Sequence, residues 1–118
     1  MGQPVAMFEV ISADPARARA FYSQLFDWTT QTAASMGDYA MVDTQAGEGA
    51  IIGGIGPSES AGDTGVKFYV RVDDLDGYLT RAEELGGTRV VPPTDLPEGY
   101  GRFAILADPD GNAVGLWG

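Results

Sequence analysis

The first third of the chain changes from a strand pattern to a helix pattern within a few residues. A short apolar run from Val5 to Ile11 predicts a β-strand. Asp14 then supplies a natural N-cap, and Pro15 suits the first turn of a helix. The positions that follow recur at helical spacing and are expected to face a core: Ala18, Phe21, Tyr22 and Leu25.

The same pattern returns in the second half of the chain. An apolar strand is predicted from Val66 to Val72, and either Asp73 or Asp74 caps the helix that follows. A Gly86-Gly87 pair ends this helix. Its apolar face consists of Leu75, Leu79, Ala82 and Leu85.

The two segments superimpose at a constant shift of 60 positions, which pairs Phe8 with Phe68 and Asp14 with Asp74. Three strand-like runs follow each helix: "DWTTQTA", "DYAMVDT" and "GAIIGGI" in the first half, and "TRVVPP", "GRFAILA" and "NAVGLW" in the second. The sequence therefore predicts an α+β fold of two tandem β-α-β-β-β modules, residues 1–56 and 66–118, joined by a polar linker, residues 57–65. We expect the helices to cover one face of the strands and the other faces to curve around a cleft.

The net charge and the absence of two residue types limit the functions that the protein can have. The 118 residues carry a net charge of −10, which argues against nucleic-acid binding because phosphate contacts need a basic surface. The chain has no histidine and no cysteine, so it offers no imidazole or thiolate to a metal and no histidine base. Neither a membrane span nor a signal peptide is recognisable, and a cytoplasmic location is expected.

The order of elements, together with "RARAFYSQLF" in the first helix, the signature "FYSQLFDW" and the terminal "DPDGNAVGLW", resembles the vicinal oxygen chelate superfamily. This superfamily includes glyoxalase I, the bleomycin-resistance proteins and the extradiol dioxygenases. The resemblance covers essentially the whole chain. It implies a ligand site on the sheet faces away from the helices, and a homodimer.

In catalytic members of the superfamily, the first and last strands of each module supply the metal ligands. When the Asp caps, the helices and the DPDG turn are used as anchors, the four metal-ligand positions of the superfamily correspond to Met7, Gly53 (within a residue), Lys67 and Gly115. None of these side chains is a plausible ligand, and Lys67 would repel a cation. The expectation is therefore a protein with no metal and no cofactor.

Alternation along the strands predicts which side chains face the cleft. Phe8 and Val10 are expected to face the helix, and Glu9 the cleft. Gly53 and Gly115 are expected to leave the cleft open, and the irregular loop "PPTDLPEGYG" with Tyr100 is either a lid or a surface connector. The predicted ligand contacts are Met7, Glu9, Gly53, Lys67, Tyr69, Arg71, Tyr100, Gly115 and Trp117.

Three functions fit these residues. The first is metal-independent binding of an organic small molecule, such as sequestration of an antibiotic or a metabolite. The second is a metal-free isomerase, epimerase or lyase, with Glu9 as general base and Lys67 or Tyr69 stabilising an enolate-like charge. The third is an interaction domain without a ligand. Whether the protein is an enzyme stays open at this point, and so does the alternative that Glu9 forms only a structural ion pair with Lys67 or Arg71.

Overall fold

The structure, a computed structural model, describes residues 2–59 and 64–118. The elements follow the order β-α-β-β-β twice, which confirms the predicted α+β class. Residues 60–63 of the predicted linker lie outside the described residues. The first set of elements is β1 (Val5–Ser12), α1 (Pro15–Phe26), β2 (Thr29–Thr32), β3 (Ala40–Asp43) and β4 (Ile52–Pro57). The second set is β5 (Gly65–Arg71), α2 (Leu75–Glu84), β6 (Thr88–Asp95), β7 (Arg102–Ala107) and β8 (Ala113–Trp117). Short 3-10 turns occupy Ala34–Met36 and Pro97–Gly99.

Contacts divide the chain into two compact units. The first unit is Met7–Val66, and the second is Lys67–Gly118 together with the N-terminal residues before Met7. These N-terminal residues join the second unit through the carbonyl of Pro4, which accepts a hydrogen bond of 2.9 Å from the amide of Arg71. No helix among the described residues is long and apolar enough to cross a membrane.

Both helices begin where the sequence places them. The Asp14 carboxylate accepts a hydrogen bond from the amide of Arg17 at 3.2 Å, and that of Asp74 accepts one from the amide of Gly77 at 3.0 Å. Each aspartate satisfies an amide that would otherwise lack a partner in the first helical turn. Asp74, and not Asp73, is therefore the cap of α2.

In the second unit the strands lie in the order β5-β8-β7-β6, with β5 and β8 parallel and the other pairs antiparallel. The buried leucines of α2, Leu75 and Leu79, pack on this sheet as predicted. Leu79 is fully buried, and the core around it consists of Val72, Leu75, Ala104 and Leu116. The predicted "PPTDLPEGYG" loop is partly strand, because β6 continues through Pro92 and Pro93 to Asp95.

In the first unit the strands lie in the order β2-β3-β4-β1, with β1 and β4 parallel. Its interior consists of Ala40, Val42 and Ile55, each at most 2% exposed. The prediction that Phe21 and Leu25 belong to the core is wrong: they are 57% and 58% exposed. None of the twelve described residues of α1 is buried. Its aromatic side chains contact one another instead, as in the T-shaped pair of Phe21 and Tyr22, with ring centroids 5.2 Å apart.

Candidate functional site

One row of residues crosses the whole sheet of the first unit. Gln31 lies opposite Met41, Met41 opposite Gly54, and Gly54 opposite Glu9. Residues directly opposite each other in a sheet project to the same face, so this row defines one surface. We call it the Glu9 face. It also contains Met7 and Ile52, which pair two residues away along the same two strands.

Glu9 is the one charged side chain that is buried among the residues the structure describes, at 8% exposed. Oε2 of its carboxylate accepts a hydrogen bond of 2.7 Å from the phenol of Tyr39. Burying a carboxylate is costly unless hydrogen bonds replace its hydration. The predicted direction of Glu9, away from the helix, is consistent with this contact.

Tyr39 reaches Glu9 because the strand between them carries no side chains at the crossing. The tyrosine immediately precedes β3, whereas Glu9 is on β1, and β4 runs between these two strands. A Cβ atom placed on either Gly54 or Gly56 would collide with the Tyr39 ring. These two glycines are two residues apart, so they share a face and form a flat trough under the ring.

The predicted face of Gly53 is wrong by one residue. Gly53 pairs with Phe8, and a Cβ on Gly53 would collide with the Phe8 ring. Phe8 in turn contacts Trp28, with ring centroids 5.2 Å apart, on the face opposite Glu9. A single-residue shift exchanges the two faces of a strand, so Gly54 takes the place that the sequence analysis gave to Gly53.

A shallow groove of about 390 Å³ lies at the edge of the Glu9 face. Met41 and Gln31 connect it to the row that ends at Glu9. A volume of this size is within the range of small-molecule sites, and a mixture of apolar and polar side chains, which here includes the carboxylate of Asp43, is typical of them. The groove is lined by Thr29, Thr30, Gln31, Met41, Val42, Asp43 and Ile52.

The second unit contains the other predicted site residues. Tyr69 pairs with Gly115, and its ring lies where a Cβ of Gly115 would be. The guanidinium carbon of Arg71 is 4.4 Å from the centroid of the Trp117 ring. Trp117 donates a hydrogen bond of 2.8 Å from Nε1 to the carbonyl of Tyr100. Lys67 is half-buried on the same strand as Tyr69 and Arg71.

The prediction that Gly53 and Gly115 leave open space is also wrong. The ring of Phe8 lies over Gly53, and that of Tyr69, which is 6% exposed, lies over Gly115. Glycine permits these close approaches because it has no side chain to displace. Both glycines therefore serve packing within their own units.

The side chains at the four predicted metal-ligand positions do not fit a metal ion. Metal sites use imidazole, thiolate or carboxylate donors. None of these donors is present at the four positions, which are Met7, Gly54 (predicted as Gly53), Lys67 and Gly115. In the part of the chain that the structure describes, no three acidic side chains converge in a way that could hold a metal.

Sequence reasoning missed Tyr39, Met41 and Gln31. The signal was present in two places. "DYAMVD" alternates larger or polar side chains with Ala40 and Val42, which is typical of a strand with one buried face. "GGIG" places two glycines at alternate positions, which indicates a close approach by another group.

The glyoxalase-like domain family model matches residues 7–116 of the chain. The chain belongs to this family. It is 28% identical to a protein named as a glyoxylase, CFP32, from Mycobacterium tuberculosis, over 90% of this chain and 42% of that protein. It is 29% identical to the anthracycline biosynthesis protein DnrV from Streptomyces peucetius, over 95% of this chain and 46% of that protein. The chain thus spans less than half the length of these two relatives.

Solved structures confirm the fold of the glyoxalase-like domain. A glyoxalase/bleomycin resistance/dioxygenase superfamily member from Vibrio splendidus superimposes with a TM-score of 0.65 and 14% identity, over 98% of this chain and 97% of the other. The family match over residues 7–116, together with this shared fold, confirms the resemblance to the vicinal oxygen chelate superfamily drawn from the sequence.

Proposed function

We propose that this glyoxalase-like domain binds an organic small molecule on the Glu9 face, without a metal ion. The observation that carries the proposal is the buried Glu9 carboxylate, hydrogen-bonded to Tyr39 on a surface that continues into a groove through Met41. The buried carboxylate of Glu9, on a surface with apolar and neutral polar side chains, can orient a ligand that has a hydrogen-bond donor, and Asp43 adds a second carboxylate at the groove. The names of the relatives, glyoxylase and anthracycline biosynthesis protein, are in keeping with small-molecule chemistry.

A screen of metabolites and antibiotics by thermal shift, on protein treated with a chelator, tests this proposal. A ligand present at about 100 times its dissociation constant adds about 2.7 kcal/mol to the free energy of unfolding. Each compound that stabilises the protein is then titrated calorimetrically against three proteins: the natural one, Glu9→Gln, and Glu84→Gln as a control at an exposed carboxylate on α2.

We expect Glu9→Gln to weaken binding by about tenfold or more, because an amide accepts a hydrogen bond less strongly than a carboxylate does. Glu84→Gln should leave the affinity unchanged. Equal affinities for all three proteins would contradict the assignment of the ligand to Glu9. A complete absence of ligands would favour the third function, an interaction domain.

A separate titration tests whether the protein is independent of metal ions. The chelator-treated protein is titrated with Zn²⁺, Ni²⁺ and Fe²⁺, and no stoichiometric site of micromolar affinity is expected, because the chain lacks imidazole and thiolate ligands. A site of that affinity would overturn this part of the proposal.

A catalytic role for Glu9 is the second candidate function, and the Tyr39 contact favours it. A carboxylate and a phenol within 2.7 Å can act as base and acid in an isomerase, epimerase or lyase step. In that case Glu9→Gln lowers turnover by about 10²–10⁴-fold while the affinity for substrate changes little. A loss confined to affinity would leave Glu9 as a binding residue only. Lys67 stays a proposed catalytic residue, to be tested by the same comparison with Lys67→Met.

The side chains predicted in the second unit stay proposals as ligand contacts. Trp117 is the most convenient of them to test, since its fluorescence reports on its surroundings. If a ligand contacts this unit, Trp117→Phe removes most of the fluorescence change on binding. If Trp28 alone reports the ligand, the contacts proposed for Tyr69, Arg71, Tyr100 and Trp117 are refuted; Gly115, covered by the Tyr69 ring, is no longer proposed as a contact.

We also propose that the protein is a homodimer in the cytoplasm. The feature that supports the dimer is the surface of α1, where Phe21, Leu25 and Phe26 are each more than half exposed. Exposed apolar surface of this kind is typical of interfaces. Light scattering during size exclusion should give twice the chain mass of 12.4 kDa. A single-chain mass at micromolar concentration would contradict it.

A further inference from the structure

The Tyr39 side chain occupies a place on the Glu9 face that fits an aromatic ring. The ring lies over Gly54 and Gly56, and any side chain on either glycine would collide with it. At the end of this trough, the carboxylate of Glu9 accepts the phenol hydrogen bond at 2.7 Å. We call this place the ring seat: the surface over Gly54 and Gly56 that ends at Glu9.

The ring seat selects a particular chemistry. Its floor is flat backbone, which contacts the face of a planar ring well and offers little to a branched or bulky group. At its far end Oε2 of the buried Glu9 carboxylate accepts a hydrogen bond from a phenol, and a hydrogen bond to a charged acceptor favours a ligand that places a donor at the same point. A flat ring with a hydroxyl group at one end, a hydroxyaryl group, satisfies both conditions.

Tyr39 is attached to the sheet in a way that lets its side chain leave the ring seat. It precedes the first residue of β3 and follows the 3-10 turn Ala34–Met36. Its amide donates to the carbonyl of Met36 at 3.1 Å, and Gly37 in the same turn has a φ of 62°. Rotation about the side-chain bonds of Tyr39 would empty the seat at the cost of the phenol hydrogen bond to Glu9, and it leaves the backbone hydrogen bond to Met36 in place.

We propose that Tyr39 is an internal occupant of a ligand seat, and that a hydroxyaryl ligand displaces it. The proposal rests on the proposed function, since it names the ligand class of the same site. The ligand's ring takes the trough, and its hydroxyl replaces the phenol on Glu9. A ligand larger than one ring gains further contacts in the groove, which is continuous with the seat through Met41.

Competition between Tyr39 and a small phenol tests the displacement. The probe is 4-methylphenol, which has the same ring and hydroxyl as a tyrosine side chain, and toluene serves as the ring without the hydroxyl. Both are titrated into the natural protein, Tyr39→Ala, Tyr39→Phe and Tyr78→Ala, a control at a tyrosine that is 37% exposed on α2. Affinities and the signals of the Tyr39 ring are followed by NMR.

We expect the natural protein to bind 4-methylphenol with a shift of the Tyr39 ring signals. Tyr39→Ala should bind it about tenfold more tightly or better, because an occupied seat reduces the apparent affinity by the fraction of time that the seat is empty. Tyr39→Phe keeps the ring and loses the hydroxyl, so it competes less well and should also bind the probe more tightly. Toluene should bind Tyr39→Ala more weakly than 4-methylphenol does, and Tyr78→Ala should behave like the natural protein.

Two results would overturn the inference. If 4-methylphenol binds Tyr39→Ala but never the natural protein, Tyr39 is a fixed part of the packing. If toluene binds as tightly as 4-methylphenol, Glu9 does not select a hydroxyl. Tyr39→Phe keeps the comparison possible should Tyr39→Ala fail to fold. Neither result removes the proposed function, which falls only if the compound screen yields no ligand that depends on Glu9.

Discussion

Replacing Tyr39 with phenylalanine removes one oxygen atom from the centre of the candidate site. The phenylalanine ring retains its contacts over Gly54 and Gly56, so the change isolates the hydrogen bond to Glu9. Hydrogen bonds to charged groups contribute about 1.5–3 kcal/mol. Because Tyr39 is only partly buried, water can reach part of the gap, and we expect a loss of about 1–2 kcal/mol in the free energy of unfolding.

The assay is urea denaturation of four proteins that form a double-mutant cycle: natural, Tyr39→Phe, Glu9→Gln and the double variant. For a chain of this length, 1–2 kcal/mol also lowers the melting temperature by several degrees. The coupling energy between the two positions should be about 1 kcal/mol, because the residues share a bond of 2.7 Å.

An additive cycle would refute the reasoning. The effects of two substitutions on the free energy of unfolding are additive within about 0.3–0.5 kcal/mol when the residues are far apart. A coupling energy below that limit would therefore mean that the phenol and the carboxylate do not stabilise each other. A Tyr39→Phe protein as stable as the natural one would lead to the same conclusion. In that case the burial of Glu9 must be compensated elsewhere.

Two further predictions concern the second unit. Gly115→Ala places a methyl group where the Tyr69 ring lies, so it should lower the free energy of unfolding, measured by urea denaturation, by about 1–3 kcal/mol. Gly65→Ala, which has open space around it, should lower it far less, and equal losses for the two variants would contradict this packing. Asn112 donates two hydrogen bonds of 2.9 Å to the Asp108 carboxylate, one from its side-chain amide and one from its backbone amide. These bonds, the side-chain one most strongly, lower the pKa of the Asp108 carboxyl below its ordinary value of 3.8. A carboxyl with a lowered folded-state pKa stabilises the protein above its unfolded pKa and loses that contribution as the pH falls through the folded value. The stability advantage of the natural protein over Asp108→Asn should therefore be fully present above the unfolded pKa and shrink as the pH falls below it, and a constant difference would contradict the assignment.

Features of the fold that depend on neighbouring residues were predictable. Asp14 and Asp74 act on amides three residues away, so the start of each helix is determined locally. The repetition of the pattern at a shift of 60 then predicted the order of elements, since each half of the chain supports the prediction made for the other. Six strand-like runs after the helices correspond to six strands in the structure.

Strand register was not predictable at the precision that a site needs. Alternation along β4 predicted Gly53 on the Glu9 face, but the pairing of Glu9 with Gly54 excludes this. Each strand alternates faces with every residue, and "IIGGIG" contains no charged or large polar side chain to mark the outward face. The uncertainty of one residue was therefore sufficient to reverse the assignment.

The helical apolar pattern of α1 was also insufficient to predict burial. Phe21 and Leu25 recur at the expected spacing but remain more than half exposed. Tyr22 stacks on Trp28 with an interplanar angle of 13° and a centroid distance of 5.5 Å. Aromatic side chains that pack along the helix surface have the same spacing as those that enter a core, so periodicity alone does not separate the two.

In each unit an aromatic ring lies over a glycine of a paired parallel strand, but the ring comes from a different place in the two units. This difference concerns the position of Glu9. In the second unit, Tyr69 covers Gly115 directly from the paired strand. At a shift of 60, the counterpart of Tyr69 is Glu9, which pairs with Gly54 in the same way. A glutamate side chain has no ring to cover the glycine, and in the first unit the ring comes from Tyr39 on the far side of β4. Glu9 thus occupies the position at which the second unit has an aromatic side chain, although packing alone favours the aromatic one, and a local departure of this kind is what we expect if Glu9 has the proposed role in binding.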